Sequence, residues 1–312
     1  MSMEPANPIP STPAVPARAD VFAAHRPRLF GIAYRMLGSR AEAEDVLQDA
    51  YLRWHESTSD QMRAEVRTPE AWLITIVTRL AIDRLRVLKT EREHYPGFWL
   101  PEPLVEPLSE PAVTATPETT LEFLGDVSTA FLMVLERLGP EERAAFLLRE
   151  VFEMDYPEIS QMLGKSEAAC RQTVHRAKER VRQNRPRFEV SRAAHMQLLE
   201  RFVAAARGGD MRQLKSLFAE DSSLTGDGGG KAQSVTRVLH GADRLGRFFH
   251  VIARRFGPDL TYQLAEVNGA PGLLRLYKGK LDSVVTVVTD GRRILDMYIV
   301  RNPDKLAGIT PL

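Results

Sequence analysis

The stretch YPEISQMLGKSEAACRQTVHRAKERV, residues 156–181, decides the first architectural question. A short helix over Tyr156–Leu163 meets Gly164-Lys165-Ser166, a turn in which glycine ends one helix and Ser166 N-caps the next. The helix that begins at Glu167 repeats its apolar residues at Cys170, Val174, Ala177 and Val181, spacings of four, three and four that put them on one face. Arg171, Gln172, His175, Arg176 and Lys178 occupy its other faces. Helix, glycine turn and a second helix exposing side chains near its start predict a helix-turn-helix, because an α-helix is the element that fits the DNA major groove. Between Lys165 and Arg187 stand eight basic against two acidic side chains, a block suited to phosphate. The same residues also fit a surface helix with solvated charge pairs such as Lys178 with Glu179.

Upstream, Gly139-Pro140 separates a helix over Glu141–Val151 from an earlier one marked by Leu124, Val127, Phe131, Val134, Leu135 and Leu138. Before that, residues 100–122 hold five Glu and no base among prolines, which predicts an acidic linker. From Asp20 to His94 the pattern is helical again. Phe22, Leu29, Ile32, Ala33 and Met36 share a face, Gly38 offers a C-cap, and Ser39 with Glu42 reads as a capping box. The next helix buries Ala43, Val46, Leu47, Ala50, Tyr51 and Trp54 and leaves Glu44, Asp45, Gln48 and Asp49 opposite, either a solvated surface or a docking face for a basic protein. A third helix starts at Thr68-Pro69 and buries Leu73, Ile76, Val77 and Leu80. Along it Trp72, Thr75, Arg79, Asp83 and Arg86 form a stripe of one aromatic, one hydroxyl, two guanidiniums and one carboxylate. Such a stripe suits melted DNA, through base stacking and phosphate neutralisation, and equally suits an ordinary bundle helix.

The 312 residues allow two or three domains at ~100–200 residues each. Fourteen of the twenty glycines follow residue 207, where the period changes: Leu260, Tyr262 and Leu264 alternate, and Ser283–Thr289 and Arg293–Arg301 are joined at Asp290-Gly291 as a hairpin. Helices near Ala194–Ala206 and Met211–Phe218 precede this curved antiparallel sheet, predicting an α+β domain. The net charge is +1, no apolar stretch approaches the ~18 residues of a membrane span, and one cysteine excludes an internal disulfide and a cysteine-based zinc cluster. The first sixteen residues hold five prolines and no hydrophobic segment. A cytoplasmic protein without membrane, metal or cofactor is expected.

EAEDVLQDAYLRWHE and RTPEAWLITIVTRLAIDRLR resemble the second conserved region of bacterial extracytoplasmic-function sigma factors, and LGPEERAAFLLREVFEMDYPEISQMLGKSEAACRQTVHRAKERV resembles the fourth. The resemblance covers roughly Asp20–Arg185. It implies that Glu44, Asp45, Gln48 and Asp49 face the β′ clamp helices of core RNA polymerase, whose β and β′ subunits become expected partners together with promoter DNA. It implies further that Trp72, Thr75, Arg79, Asp83 and Arg86 handle the minus-ten element, and that Arg171, Gln172, His175, Arg176 and Lys178 lie at the minus-thirty-five element. Thr78-Arg79 stands where many members carry Asn, so minus-ten preference does not transfer. WLPEP at Trp99–Pro103, DGGGK at Asp227–Lys231 and NPDKL at Asn302–Leu306 resemble the SigJ-type subgroup, whose C-terminal extension is SnoaL-like with an NTF2-like cone fold.

The expected architecture is therefore multidomain. It comprises a disordered leader (1–19), an all-α region 2 bundle (20–95), a Pro-rich acidic linker (96–122), an all-α region 4 helix-turn-helix domain (123–187) and an α+β cone (188–312). The expected function is promoter-specific initiation on core polymerase, with no catalytic residues and with the cone regulating in cis. Its regulatory contacts are expected at Trp99, Leu100 and Pro101, at a tight loop Asp227, Gly228, Gly229, Gly230 and Lys231 exposing one carboxylate and one ammonium, and at Asn302, Asp304 and Lys305. GGG cannot cradle phosphate as a P-loop does, because no helix with Lys-Ser/Thr follows it. One alternative is a cone-fold enzyme, or a sensor of an unidentified small ligand, fused to a DNA-binding module, with Tyr262, His250, Asp282, Asp296 and Tyr298 in its pocket. Another is a ligand-sensing repressor, which leaves residues 20–94 without a task.

Overall fold

A computed structural model describes residues 18–56, 69–108, 127–184 and 190–311. The proline-rich leader, the acidic linker beyond residue 108, Leu124, Thr68, Arg185 and Arg187 lie outside those residues. The first module is three helices, α1 (Arg18–Leu37), α2 (Arg40–Glu56) and α3 (Pro69–Glu93). Gly38, at φ +67°, closes α1 by donating its N–H to the Tyr34 carbonyl at 2.7 Å, as its sequence position predicts. The capping box behind it forms only by half. The Glu42 N–H does reach Ser39 Oγ at 3.4 Å, but the Glu42 carboxylate is held by Arg84 of α3. The N-terminus of α2 is capped instead by Glu102, whose Oε2 accepts from Ser39 Oγ and the Arg40 N–H, both at 2.9 Å. A carboxylate there meets the positive end of the helix dipole.

The second module comprises α4 (Thr129–Leu135), α5 (Pro140–Glu150), α6 (Tyr156–Leu163) and α7 (Glu167–Asn184). Gly164, left-handed at φ 63°, ends α6 and makes the helix-turn-helix turn. Cys170, Val174, Ala177 and Val181 are buried, as their spacing requires. The two helical modules are not separate bodies, since Leu29, Met36, Leu73 and Leu85 share one apolar core with Leu135, Phe146, Leu147 and Met162.

The third module begins with α8 (Arg192–Gly208) and α9 (Met211–Ser216), followed by β2 (Phe218–Asp227), β3 (Leu239–His240) and α10 (Ala242–Phe256). Strands β4 (Leu260–Val267), β5 (Ala270–Tyr277), β6 (Lys280–Thr289) and β7 (Ile294–Val300) and a terminal turn of helix, α11 (Pro303–Leu306), complete it. The sheet order is β1-β4-β5-β6-β7-β2-β3, with β1 (Val105–Glu106) supplied by the residues after α3 and paired antiparallel to β4. Three sequence expectations are corrected here. The sheet is mixed, because β2 and β7 run parallel with Leu224 opposite Met297 and Asp227 opposite Val300. Phe218 opens β2 instead of ending a helix. The strand after Asp290-Gly291 starts at Ile294 and not at Arg293, because Asp290 Oδ1 accepts the N–H groups of Arg292 and Arg293 at 2.8 and 2.7 Å and keeps both in the turn.

Both sheet faces are covered. Phe202, Phe218 and Phe249 pack between α8, α10 and the strands, while Leu100, Val300, Leu306 and, from α4, Met133 close the other side. No helix among the described residues is long and apolar enough to cross a membrane.

Candidate nucleic-acid and protein interfaces

On α7, Gln172, His175 and Arg176 are exposed. Arg171 is also exposed, but its guanidinium lies 4.3 Å from the Tyr156 ring centre and 3.2 Å from Glu167. Lys178 turns toward α5 and pairs with Glu150 at 2.6 Å. The open face of the second helix is therefore Gln172, His175 and Arg176, with Arg171 at its edge.

On α2, Asp45, Gln48 and Asp49 are exposed, whereas Glu44 is drawn into an ion pair with Arg26 of α1. Leu52, 48% exposed, extends the same face at i, i+3, i+4 and i+7 from Asp45. Sequence reasoning missed Leu52; the signal that finds it is an apolar residue out of phase with the buried set.

The α3 stripe is occupied. Trp72 packs on Trp54 at 5.3 Å between ring centres, and the Thr75 hydroxyl donates to the Ala71 carbonyl of its own helix at 2.7 Å. Arg79 Nε donates to the Met162 carbonyl at 3.0 Å and Nη2 to that of Gln161 at 3.3 Å, so it caps the C-terminal end of α6. Arg86 binds Asp83 of the same helix and Glu141 of α5, each at 2.7 Å. The first helix of the helix-turn-helix thus packs against the Arg79 end of the stripe. Deeper in this contact, Glu136 accepts from Arg92 of α3 and from Arg143 of α5, both at 2.7 Å. Burial alone would raise the Glu136 carboxyl, but Arg143 and Arg92 outweigh it and hold the group below the ordinary carboxylate range.

The three short motifs meet at one place. Asp227 was expected on an exposed loop; it is fully buried at the end of β2, because its partners arrive from elsewhere in the chain. Its Oδ1 accepts from the Tyr95 hydroxyl at 2.7 Å and the Gly229 N–H at 3.0 Å. Its Oδ2 accepts from the Leu100 N–H at 2.9 Å and Lys305 Nζ at 2.7 Å. Asn302 Nδ2 donates to the Tyr95 hydroxyl at 2.9 Å. Leu100 and Pro101 are buried against the module. Gly229, at φ +60°, lies so close to Asn302 that a Cβ would come within 2.4 Å of its side chain. Lys231 remains at the surface, paired with Asp304 at 2.6 Å.

Trp99 ties this hub to the helices. The Arg92 guanidinium lies 3.5 Å and the Lys305 ammonium 4.4 Å from the Trp99 ring centres, and a Cβ on Gly38 would stand 2.7 Å from the indole. Burial pushes the Lys305 ammonium down to about 8 despite the Asp227 carboxylate beside it. An unbroken series of contacts, Arg143 to Glu136 to Arg92 to Trp99 to Lys305 to Asp227, crosses all three modules.

The pocket residues expected for an enzyme do not converge. Only Asp282 lines the cavity of the C-terminal module. His250 Nδ1 lies 2.6 Å from the Gly209 carbonyl, Asp296 accepts from Ser223, Tyr262 packs edge-on against Phe202, and Tyr298 joins the opposite apolar cluster.

The family models for sigma-70 region 2 and sigma-70 region 4 match residues 21–90 and 128–181. The chain is 35% identical over 297 residues to the extracytoplasmic-function RNA polymerase sigma factor SigJ of Mycobacterium tuberculosis, covering 92% of each chain. It is 29% identical over 288 residues to a probable sigma factor, SigI, of the same species, covering 91% of this chain and 92% of the relative. The crystal structure of M. tuberculosis SigJ superposes with a TM-score of 0.73 at 34% identity, over 93% of this chain and 98% of that one. The match extends through the C-terminal mixed sheet, which accords with an NTF2-like cone. With both sigma regions in order on two fused helical modules, the chain belongs to the extracytoplasmic-function RNA polymerase sigma factors.

Proposed function

We propose that this sigma factor is held closed by its own C-terminal module. Asp45, Gln48 and Asp49, with Leu52 and the neighbouring Glu44, dock the β′ clamp helices of core RNA polymerase. Gln172, His175 and Arg176, flanked by Arg171 and Lys178, read the minus-thirty-five element. Trp72, Thr75, Arg79, Asp83 and Arg86 handle the minus-ten element once α6 has left α3. The observation that carries this reading is the contrast between surfaces: the α2 and α7 faces are open, while Arg79 and Arg86 are spent on α6 and α5. The hub at Asp227, joining the residues after α3 to β2 and α11, supports a restraint acting in cis. The work is binding, with no covalent step of the chain's own.

Opening is directly measurable, because the one native cysteine, Cys170, is buried and leaves introduced cysteines free for labelling. Donor and acceptor dyes at Val87→Cys on α3 and Gln183→Cys on α7 are expected to lose energy transfer when core polymerase and promoter DNA are added. Initiation that proceeds with transfer unchanged would overturn the closed-state reading.

Arg176→Ala is expected to weaken initiation from the cognate promoter by about 1–3 kcal/mol, the discrimination carried by one bidentate base contact, with core polymerase binding intact. Template competition assays check this, and equal initiation from cognate and scrambled minus-thirty-five elements in parent and variant would remove α7 from the readout.

A further inference from the structure

The cavity of the C-terminal module has no part in the interfaces described above. Its volume, about 490 Å³, lies within the range of small-molecule sites. Phe248, Ile252 and Phe256 stand four residues apart on α10 and form one wall, an apolar helix face turned toward open space. The polar end is built differently. Arg275, its side chain 6% exposed, donates from Nε and Nη2 to Asp282 Oδ2 at 3.0 and 2.6 Å, and Arg301 Nη2 donates to Asp282 Oδ1. One carboxylate answers two guanidiniums, so the wall keeps one positive charge without a counter-charge in the lining. Arg301 Nη1 also donates to the Gln233 carbonyl, which leaves one further N–H on each Nη for an acceptor in the cavity, and the buried Nε has no hydrogen-bond partner.

Leu224, Val235, Leu260 and Ile299 extend the apolar wall, Gln233, Ser234 and Tyr277 join the polar end, and the one unmatched positive charge selects by chemistry. A cation meets like charge, and a ligand polar along its whole length would leave hydroxyls unpaired against the phenyl rings. An anionic head on an apolar body satisfies both ends. We infer that the cavity binds an amphipathic monocarboxylate, a medium-chain or aromatic acid, with its carboxylate on Arg301 and its body against Phe248, Ile252 and Phe256.

Arg301 also joins the cavity to the hub, since its backbone N–H donates to the Asp227 carbonyl at 2.7 Å and Asn302 follows it. Occupancy therefore reaches the Asp227 contacts; this link rests on the closed-state reading above, whereas binding itself does not.

Calorimetric titration of the full chain with decanoate and 2-naphthoate, against decanol and 2-naphthol, tests the site. At least one acid is expected to bind about tenfold or more tighter than its alcohol, the worth of one charge-assisted hydrogen bond. Arg301→Gln should erase that difference, and Ile252→Trp, which fills the apolar end, should abolish binding with the circular dichroism spectrum unchanged. Failure of both acids to bind, equal binding of acid and alcohol, or acid binding indifferent to both substitutions would overturn the site. In reconstituted transcription the acid that binds should change initiation by the parent and not by Ile252→Trp. Binding without that change would leave the site standing and sever its link to the hub.

Discussion

Asp227→Ala is expected to detach the C-terminal sheet from the residues that follow α3 and to raise initiation in a system containing only core polymerase, promoter DNA and the factor. The carboxylate accepts from Tyr95, Leu100, Gly229 and Lys305, and its loss leaves the Lys305 ammonium, 10% exposed, without its counter-charge. Removing one partner of a buried ion pair costs about 3–5 kcal/mol. Because those partners belong to different modules, that loss falls on their attachment more than on any single core. Hydrogen exchange should therefore rise at residues 95–106 and 302–306 first. Lys231→Ala is the internal contrast: the Lys231–Asp304 pair is more than half exposed on both sides, and such pairs contribute about 0–1 kcal/mol. Equal effects of the two substitutions, or exchange and initiation both unchanged in Asp227→Ala, would show that the hub restrains nothing.

Asp45→Arg combined with Asp49→Arg is expected to abolish co-purification with core polymerase while the isolated factor stays folded. Both side chains are exposed on α2 opposite Val46, Leu47 and Ala50, and exposed substitutions of this kind usually shift stability by about 0.5 kcal/mol or less. Two reversed charges on a docking face act directly, since like charges across an interface cost several kcal/mol. Glu44→Ala should do less, because that carboxylate is already engaged by Arg26. A double variant that co-purifies at parental levels with an unchanged melting temperature would remove α2 from the polymerase interface.

The contrast between Asp227 and Lys231 shows where the sequence is legible and where it stops. Local rules succeed at the helix-turn-helix, where the left-handed Gly164 and the buried series from Cys170 to Val181 depend only on neighbours three or four residues away. They fail at Ser39-Glu42, where the box is a sound local pattern but Glu102 and Arg84 make stronger claims on its two ends. Three consecutive glycines after Asp227 read as an exposed turn; Gly228 is crowded by the nearby Ala232 carbonyl, but Gly229 and Gly230 are small because Asn302 and Pro96 press against them, partners more than seventy residues away on one side and over a hundred on the other. Periodicity placed Arg79 and Arg86 on one face of α3 but carries no information about which body covers that face. The parallel pairing of β2 with β7 was hidden for the same reason: the strands are far apart in the chain, and nothing near Phe218 distinguishes a parallel neighbour from an antiparallel one.

The hub draws its residues from positions 95, 100, 227, 229, 302 and 305, and so it sets an order in time. Chains emerge from the ribosome N-terminus first and fold module by module. Both helical modules are synthesised before β2, and Lys305 is the last of these residues to appear. A nascent chain therefore passes through an interval in which α2, α3 and α7 exist and the contacts of Lys305 do not. Ribosome-bound chains stalled with Lys305 still inside the exit tunnel should be cut by protease within residues 95–106, while released chains should be protected there. Equal protection before and after release would mean that closure does not wait for Lys305.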